Sequence, residues 1–71
     1  MTILVFKTNL RTRTMVQQIS PELNQVQGIL RWNVDLQDID NVLRVEGEGI
    51  TVNGIVNRLV EAGYRCEELP D

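Results

Sequence analysis

Two apolar stripes at helical spacing, each set between stretches of strand character, decide what this chain can become. Val16, Ile19, Leu23 and Val26 recur every three or four residues, and so do Val52, Ile55, Leu59 and Ala62. That period places each set along one side of an α-helix. Ahead of the first stripe, residues 2–8 are dense in Ile, Leu, Val and Phe, with Leu4 and Phe6 on one face and Ile3 and Val5 on the other. A strand apolar on both faces belongs inside a sheet rather than at its edge. Between the stripes, Leu30, Trp32, Val34 and Leu36 alternate with Arg31, Asn33 and Asp35, the pattern of a half-buried strand with one wet face. Residues 42–46 form a third strand with Leu43 and Val45 inward, and residues 64–69 a short fourth one. The order β-α-β-β-α-β predicts an α+β ferredoxin-like sandwich: a four-stranded antiparallel sheet with two helices on one face.

Local signals punctuate this order. Thr14 followed by Gln17 reads as a capping box at the start of the first helix. Pro21 falls inside the first stripe, where it removes a backbone donor and crowds the preceding turn, so a bend near Ser20 or a broken first turn is expected. Gly28 is the expected stop of the first helix, Thr51 the cap of the second and Gly63 its stop. Residues 37–41 read as a hairpin turn and 46–49 as a polar loop. In this topology three loops meet at one end: residues 9–14, residues 37–41 and the Gly63-Tyr64 corner.

Composition narrows the function. The chain has 71 residues, one domain spanning 1–71, and a chain of that size buries only roughly 60% of its unfolded surface. The net charge is −3 and the basic residues are scattered, so no phosphate-binding stripe is visible. Nucleic-acid binding on an open sheet needs exposed aromatics in a basic surround, and neither is present. A single cysteine rules out an internal disulfide. No signal-type pattern opens the chain and no apolar run approaches a membrane span, so the expected setting is a reducing cytoplasm, with no membrane partner. There is no histidine, no recognisable nucleophile–base pair and no glycine-rich phosphate cradle. The reading is therefore a non-enzyme without a cofactor. Asp35, Asp38 and Asp40 lack the glycine and bidentate glutamate of a calcium loop and read as a charged hairpin. Glu46, Glu48, Glu67 and Glu68 read as a solvated acidic surface.

Three phrases carry a family resemblance: Phe6-Lys7-Thr8-Asn9-Leu10, Trp32-Asn33-Val34-Asp35-Leu36 and Ala62-Gly63-Tyr64-Arg65-Cys66-Glu67. In this order and spacing the chain resembles the heavy-metal-associated (HMA) domain family, which includes copper chaperones and the amino-terminal domains of metal-pumping ATPases. The resemblance covers residues 3–69 and implies the ferredoxin-like fold. The family's activity sits in the first loop as Cys-x-x-Cys, whose two thiolates converge on a soft ion such as Cu(I). Laid over this sequence, the first cysteine position falls on Thr12 and the second on Met15, with Arg11 before the pair and Arg13 and Thr14 between. A threonine hydroxyl is a hard, neutral ligand. A methionine thioether binds Cu(I) but carries no charge, and two arginines repel a cation. The usual dithiolate site cannot form within one chain.

The resulting expectation is a non-enzymatic HMA-like domain with a degenerate metal site, acting as a protein-interaction module without stoichiometric metal. Its partner would dock at the loop end, on Arg11, Arg13, Asp38, Asp40 and Tyr64. The alternative is residual soft-metal binding or transfer of the Cu(I) type by Met15, Cys66 or both, across a dimer if need be. Against these stand plainer roles. Met15 caps the core, Cys66 is a small buried residue, and Trp32 is core. Arg11 and Arg13 are solvated loop charges, or pair with Asp38 and Asp40 across the loop end, or hold an anion at the helix start. Tyr64 packs the corner, where the family often places an aromatic, with its hydroxyl in water. Ile3 and Val5 on the open sheet face are either a weak homodimer patch or scattered surface apolars.

Overall fold

A computed structural model of the chain describes residues 1–70. Its elements are β1 (Thr2–Thr8), α1 (Arg13–Asn24), β2 (Ile29–Asp35), β3 (Val42–Gly47), α2 (Val52–Glu61) and β4 (Cys66–Glu68). The strands form one antiparallel sheet in the order β2-β3-β1-β4. The two-sided apolar strand β1 lies inside it, as its pattern requires. Leu4 stands opposite Val45 and Phe6 opposite Leu43, while Ile3 and Val5 stand opposite Glu46 and Arg44. The first face carries the core: Phe6, Leu43 and Val45 meet Ile19 and Leu23 of α1 and Ile55 and Leu59 of α2, all fully buried, with Leu10 beside them. Each such side chain contributes about 1.5–3 kcal/mol relative to exposure. No helix of the described residues is long and apolar enough to cross a membrane.

The cap of α1 is Thr12, two residues earlier than expected. Its backbone is extended, and its Oγ1 accepts from the Met15 N–H at 3.2 Å. The pattern around Thr14 supplied the right chemistry at the wrong residue, because Thr12 is the residue whose extended backbone aims its hydroxyl at the free donors of the first turn. Pro21 sits within α1, which runs unbroken from Arg13 to Asn24, so the first turn is intact. The helix ends at Asn24, capped by Gln25, and not at Gly28. Gly28 instead turns the chain into β2 with φ +97°. Its carbonyl accepts from the Glu48 N–H at 2.9 Å. A Cβ on Gly28 would lie 2.2 Å from the Glu48 oxygen, and one on Gly47 would lie 2.1 Å from the Gly28 oxygen. The two glycines let the backbones touch where β2 and β3 meet.

That junction also corrects the reading of β2. Ile29 stands opposite Gly47 but Arg31 stands opposite Glu46, so Leu30 is the extra residue of a β-bulge. It is 67% exposed rather than inward. Beyond the bulge the alternation resumes, with Trp32 opposite Val45 and Val34 opposite Leu43. Both are half-buried against the core, and the Trp32 Nε1–H donates to Asn24 Oδ1 at 3.1 Å.

α2 starts at Thr51, as expected, with Oγ1 accepting from the Gly54 N–H at 3.1 Å. It ends in a Schellman turn: the Gly63 N–H bonds the Val60 carbonyl and the Tyr64 N–H bonds the Leu59 carbonyl, with Gly63 at φ +92°. Ala62, read as part of the apolar stripe, is exposed at this terminus. β3 runs one residue further than expected, to Gly47, and β4 is shorter than the run from 64 to 69.

Candidate functional site at the loop end

The loops that follow β1 and β2 and the corner before β4 do meet at one end, and the bonds that hold them are specific. Thr8 closes β1 by three contacts. Its N–H donates to the Asp40 carbonyl at 3.0 Å, its hydroxyl donates to the Asn41 carbonyl at 2.7 Å, and its Oγ1 accepts from the Leu10 N–H at 3.2 Å. Asn41 takes a positive φ of 44° to make this turn, a conformation asparagine tolerates better than most residues. Asn9 Oδ1 accepts from the Arg65 N–H at 2.8 Å, tying the first loop to the start of β4. Tyr64 Oη donates to Gln18 Oε1 at 2.7 Å, tying the corner to α1. The tyrosine hydroxyl is therefore bonded within the chain rather than left to water.

Two hollows open here. The larger, of about 650 Å³, lies between Lys7, Asn9, Arg11, Ile39, Tyr64 and Cys66, among others. The smaller, of about 270 Å³, is lined by Asn9, Arg11, Met15 and Arg65. Arg65 was not singled out by the sequence. Only the Asn9 bond brings it across from β4, and no local pattern encodes that pairing.

The two family ligand positions have other duties. Thr12 is exposed, and its hydroxyl serves as the helix cap. Met15 is half-buried and packs on the core, its hollow bordered by two arginines. Cys66 is half-buried, opposite Thr8 in the β1–β4 ladder. Burial pushes its thiol from 9.0 up to about 12, so at neutral pH it holds its proton and is a poor metal ligand. Met15 and Cys66 open onto different hollows. Among the described residues no group of three or more His, Cys, Asp or Glu side chains is placed to hold a metal ion. The residues at this end do not fit a Cu(I) dithiolate.

Of the alternatives for Arg11 and Arg13, the pairing with Asp38 and Asp40 does not form. Asp40 pairs with Lys7, Nζ to Oδ1 at 3.7 Å. Asp38 Oδ1 accepts from the Asp40 N–H at 2.8 Å and so closes the hairpin turn. Backbone closure of the turn holds both aspartates on the hairpin side. Among the described residues Arg11, Arg13 and Arg65 enter no ion pair. On the open sheet face Ile3 and Val5 are interleaved with charge: Glu46 opposite Ile3 is bound by Arg31 at 2.6 Å, and Arg44 stands opposite Val5.

No protein-family model matches the sequence, and no curated protein matches it. Solved structures do match the fold. The yeast copper transporter domain Ccc2a, solved in apo and Cu(I)-loaded states, superposes with a TM-score of 0.82 at 18% identity, over 97% of this chain and 96% of that one. A copper-binding domain from a P-type ATPase gives 0.83 at 19%, over 99% and 96%. A chain of the Atx1–Cu(I)–Ccc2a complex gives 0.80 at 18%, over 97% and 96%. The fold is that of the heavy-metal-associated domains. The HMA fold is matched from end to end, and at these identities the fold is what is shared. The loop that follows β1 in this fold here ends at Thr12, the cap of α1, and Met15 lies in the first turn of that helix.

Proposed function

We propose that this chain is a non-enzymatic HMA-fold module that docks a protein partner through its loop end and carries no stoichiometric metal. The observation that carries the reading is the fate of the donors. Thr12 caps α1, Met15 packs on the core beside Arg11 and Arg65, which enter no ion pair among the described residues, and the Cys66 thiol keeps its proton. A soft cation gains no negative ligand there and meets positive charge. The architecture around the donors is nevertheless kept: three loops stapled into one surface by Thr8, Asn9 and Tyr64. The matched chain of the Atx1–Cu(I)–Ccc2a complex supports the docking half of the proposal, since there the same fold is held against another protein. The alternative, Cu(I) held by Met15 and Cys66, is disfavoured by their separate hollows and by the protonated thiol.

The test is a Cu(I) competition titration against a chromophoric chelator under reducing conditions, on the wild-type chain and on Cys66→Ser. Neither protein is expected to draw Cu(I) from the chelator. One equivalent bound by the wild type and lost in Cys66→Ser would overturn the proposal in favour of residual metal handling.

A further inference from the structure

The two edges of the sheet are built differently. β4 is three residues long, carries Glu67 and Glu68, and is followed by Pro70. Short length, like charge and proline are the devices by which a sheet edge is kept from pairing. β2 has none of them. It is seven residues long, contains neither proline nor glycine, and pairs only with β3, so its outer edge offers a row of unpaired backbone donors and acceptors. Its charges are of opposite sign, Arg31 and Asp35, both exposed on the face opposite the helices.

The spacing of those charges is self-complementary. In Arg31-Trp32-Asn33-Val34-Asp35 an apolar residue mirrors an apolar one about Asn33, and a positive charge mirrors a negative one. An antiparallel pairing of two copies centred on Asn33 sets Arg31 opposite the second copy's Asp35, and Asp35 opposite its Arg31. On the helix side it sets Trp32 opposite Val34. Centring on Trp32 sets Arg31 against Asn33 instead, and centring on Val34 sets Asp35 against Asn33, so only one register matches the charges. Opposite charges directly across an antiparallel pair attract, and like charges repel. Both charges are available for this contact. Asp35 enters no ion pair among the described residues. Arg31 binds Glu46 through Nε and Nη2, which leaves the other terminal nitrogen of its fork free.

We infer that a second copy of this chain pairs with the β2 edge in this register, giving a continuous eight-stranded sheet with four helices on one face. The bulge at Leu30 ends the ladder on that side, so the contact spans only the few residues around Asn33 and is weak and reversible. This surface lies along a sheet edge, away from the loop end, and does not depend on the function proposed above.

The test is the mass of the full chain in solution by sedimentation equilibrium, as a function of concentration. The expected result is a rise from 8.1 kDa towards twice that value as concentration approaches about 1 mM, where a weak contact saturates. Arg31→Glu alone and Asp35→Arg alone each weaken association about tenfold or more, because each homodimer then sets like charges opposite twice. Mixing the two variants restores it, because the heterodimer sets opposite charges at both positions. Circular dichroism confirms folding, and Asp35→Arg breaks no ion pair among the described residues and loses only the exposed bond from the Gln37 N–H to Asp35 Oδ1, so it serves even if loss of the Arg31–Glu46 bridge unfolds the other variant. In that case Asp35→Arg is compared with the neutral Asp35→Asn, and the arginine, which sets like charges opposite twice, is expected to weaken association more than the asparagine does. A constant monomer mass overturns the inference. So does a dimer indifferent to Asp35→Arg, or one that the mixture of two folded variants fails to rescue.

Discussion

Treating the folded chain with a chromogenic aryl disulfide measures how far burial controls the only thiol. Burial raises the Cys66 thiol from 9.0 to about 12. At pH 8 a rise of that size lowers the reactive thiolate fraction about 1000-fold. A more basic thiolate is also a better nucleophile, and a Brønsted slope of about 0.4–0.5 returns roughly 15–30-fold of the rate. The folded chain should therefore react about 30–60-fold more slowly than the chain unfolded in guanidinium. Its rate should climb about tenfold per pH unit from pH 7 to 10, whereas the unfolded chain bends over near its ordinary thiol pKa of 9.0. A native rate that flattens near pH 9 and matches the unfolded one would refute the reasoning, and would revive Cys66 as a soft-metal ligand. The same shift fixes the sign of one contribution to stability. The folded state keeps the proton after the unfolded state has released it, so this contribution is fully present below pH 9.0 and is lost as pH rises towards about 12.

Installing the missing ligands tests whether the loop geometry survives. Thr12→Cys combined with Met15→Cys should confer one equivalent of Cu(I) in chelator competition, because both positions lie at a helix start, where thiol pKa values fall. A double variant that folds and binds nothing would show that the loop has diverged along with its ligands. Thr12→Ala should cost about 1 kcal/mol in urea unfolding and Thr14→Ala much less, since only Thr12 accepts from the first turn. Equal costs would return the cap to Thr14. Gly47→Ala should cost about 1–3 kcal/mol or more, because its Cβ would lie 2.1 Å from a backbone oxygen that cannot rotate away. An unchanged urea midpoint would mean that the β2–β3 junction can open at little cost.

Much of this molecule is legible in its sequence because the signals are local. The periods of the two stripes place Ile19, Leu23, Ile55 and Leu59 in the core, and all four are fully buried. The misreadings share one cause. Leu30 continues an inward alternation on paper, but the close approach of Gly28 and Gly47 inserts a bulge that turns it outward. Thr14 and Thr12 are equally good caps by composition, and the path of the chain leaving β1 selects Thr12. At the loop end, the topology that gathers the 9–14 and 37–41 loops leaves a pairing of Asp38 and Asp40 with Arg11 and Arg13 open, yet the Asp40 N–H holds the Asp38 carboxylate and Lys7 pairs with Asp40.

By itself the sequence determined the element order, the internal place of β1 in the sheet and, with one cysteine, that no dithiolate can form within the chain, because periodicity and ligand chemistry are properties of residue types at given spacings. Only the tertiary structure decided how the loop end is built. It brought Arg65 beside Arg11 through the Asn9 bond and bonded Tyr64 to Gln18. It gave Met15 and Cys66 separate hollows, and it raised the thiol by burying it. These facts join residues as many as 56 positions apart, and burial and proximity across such distances follow from how the elements pack, which no local pattern records.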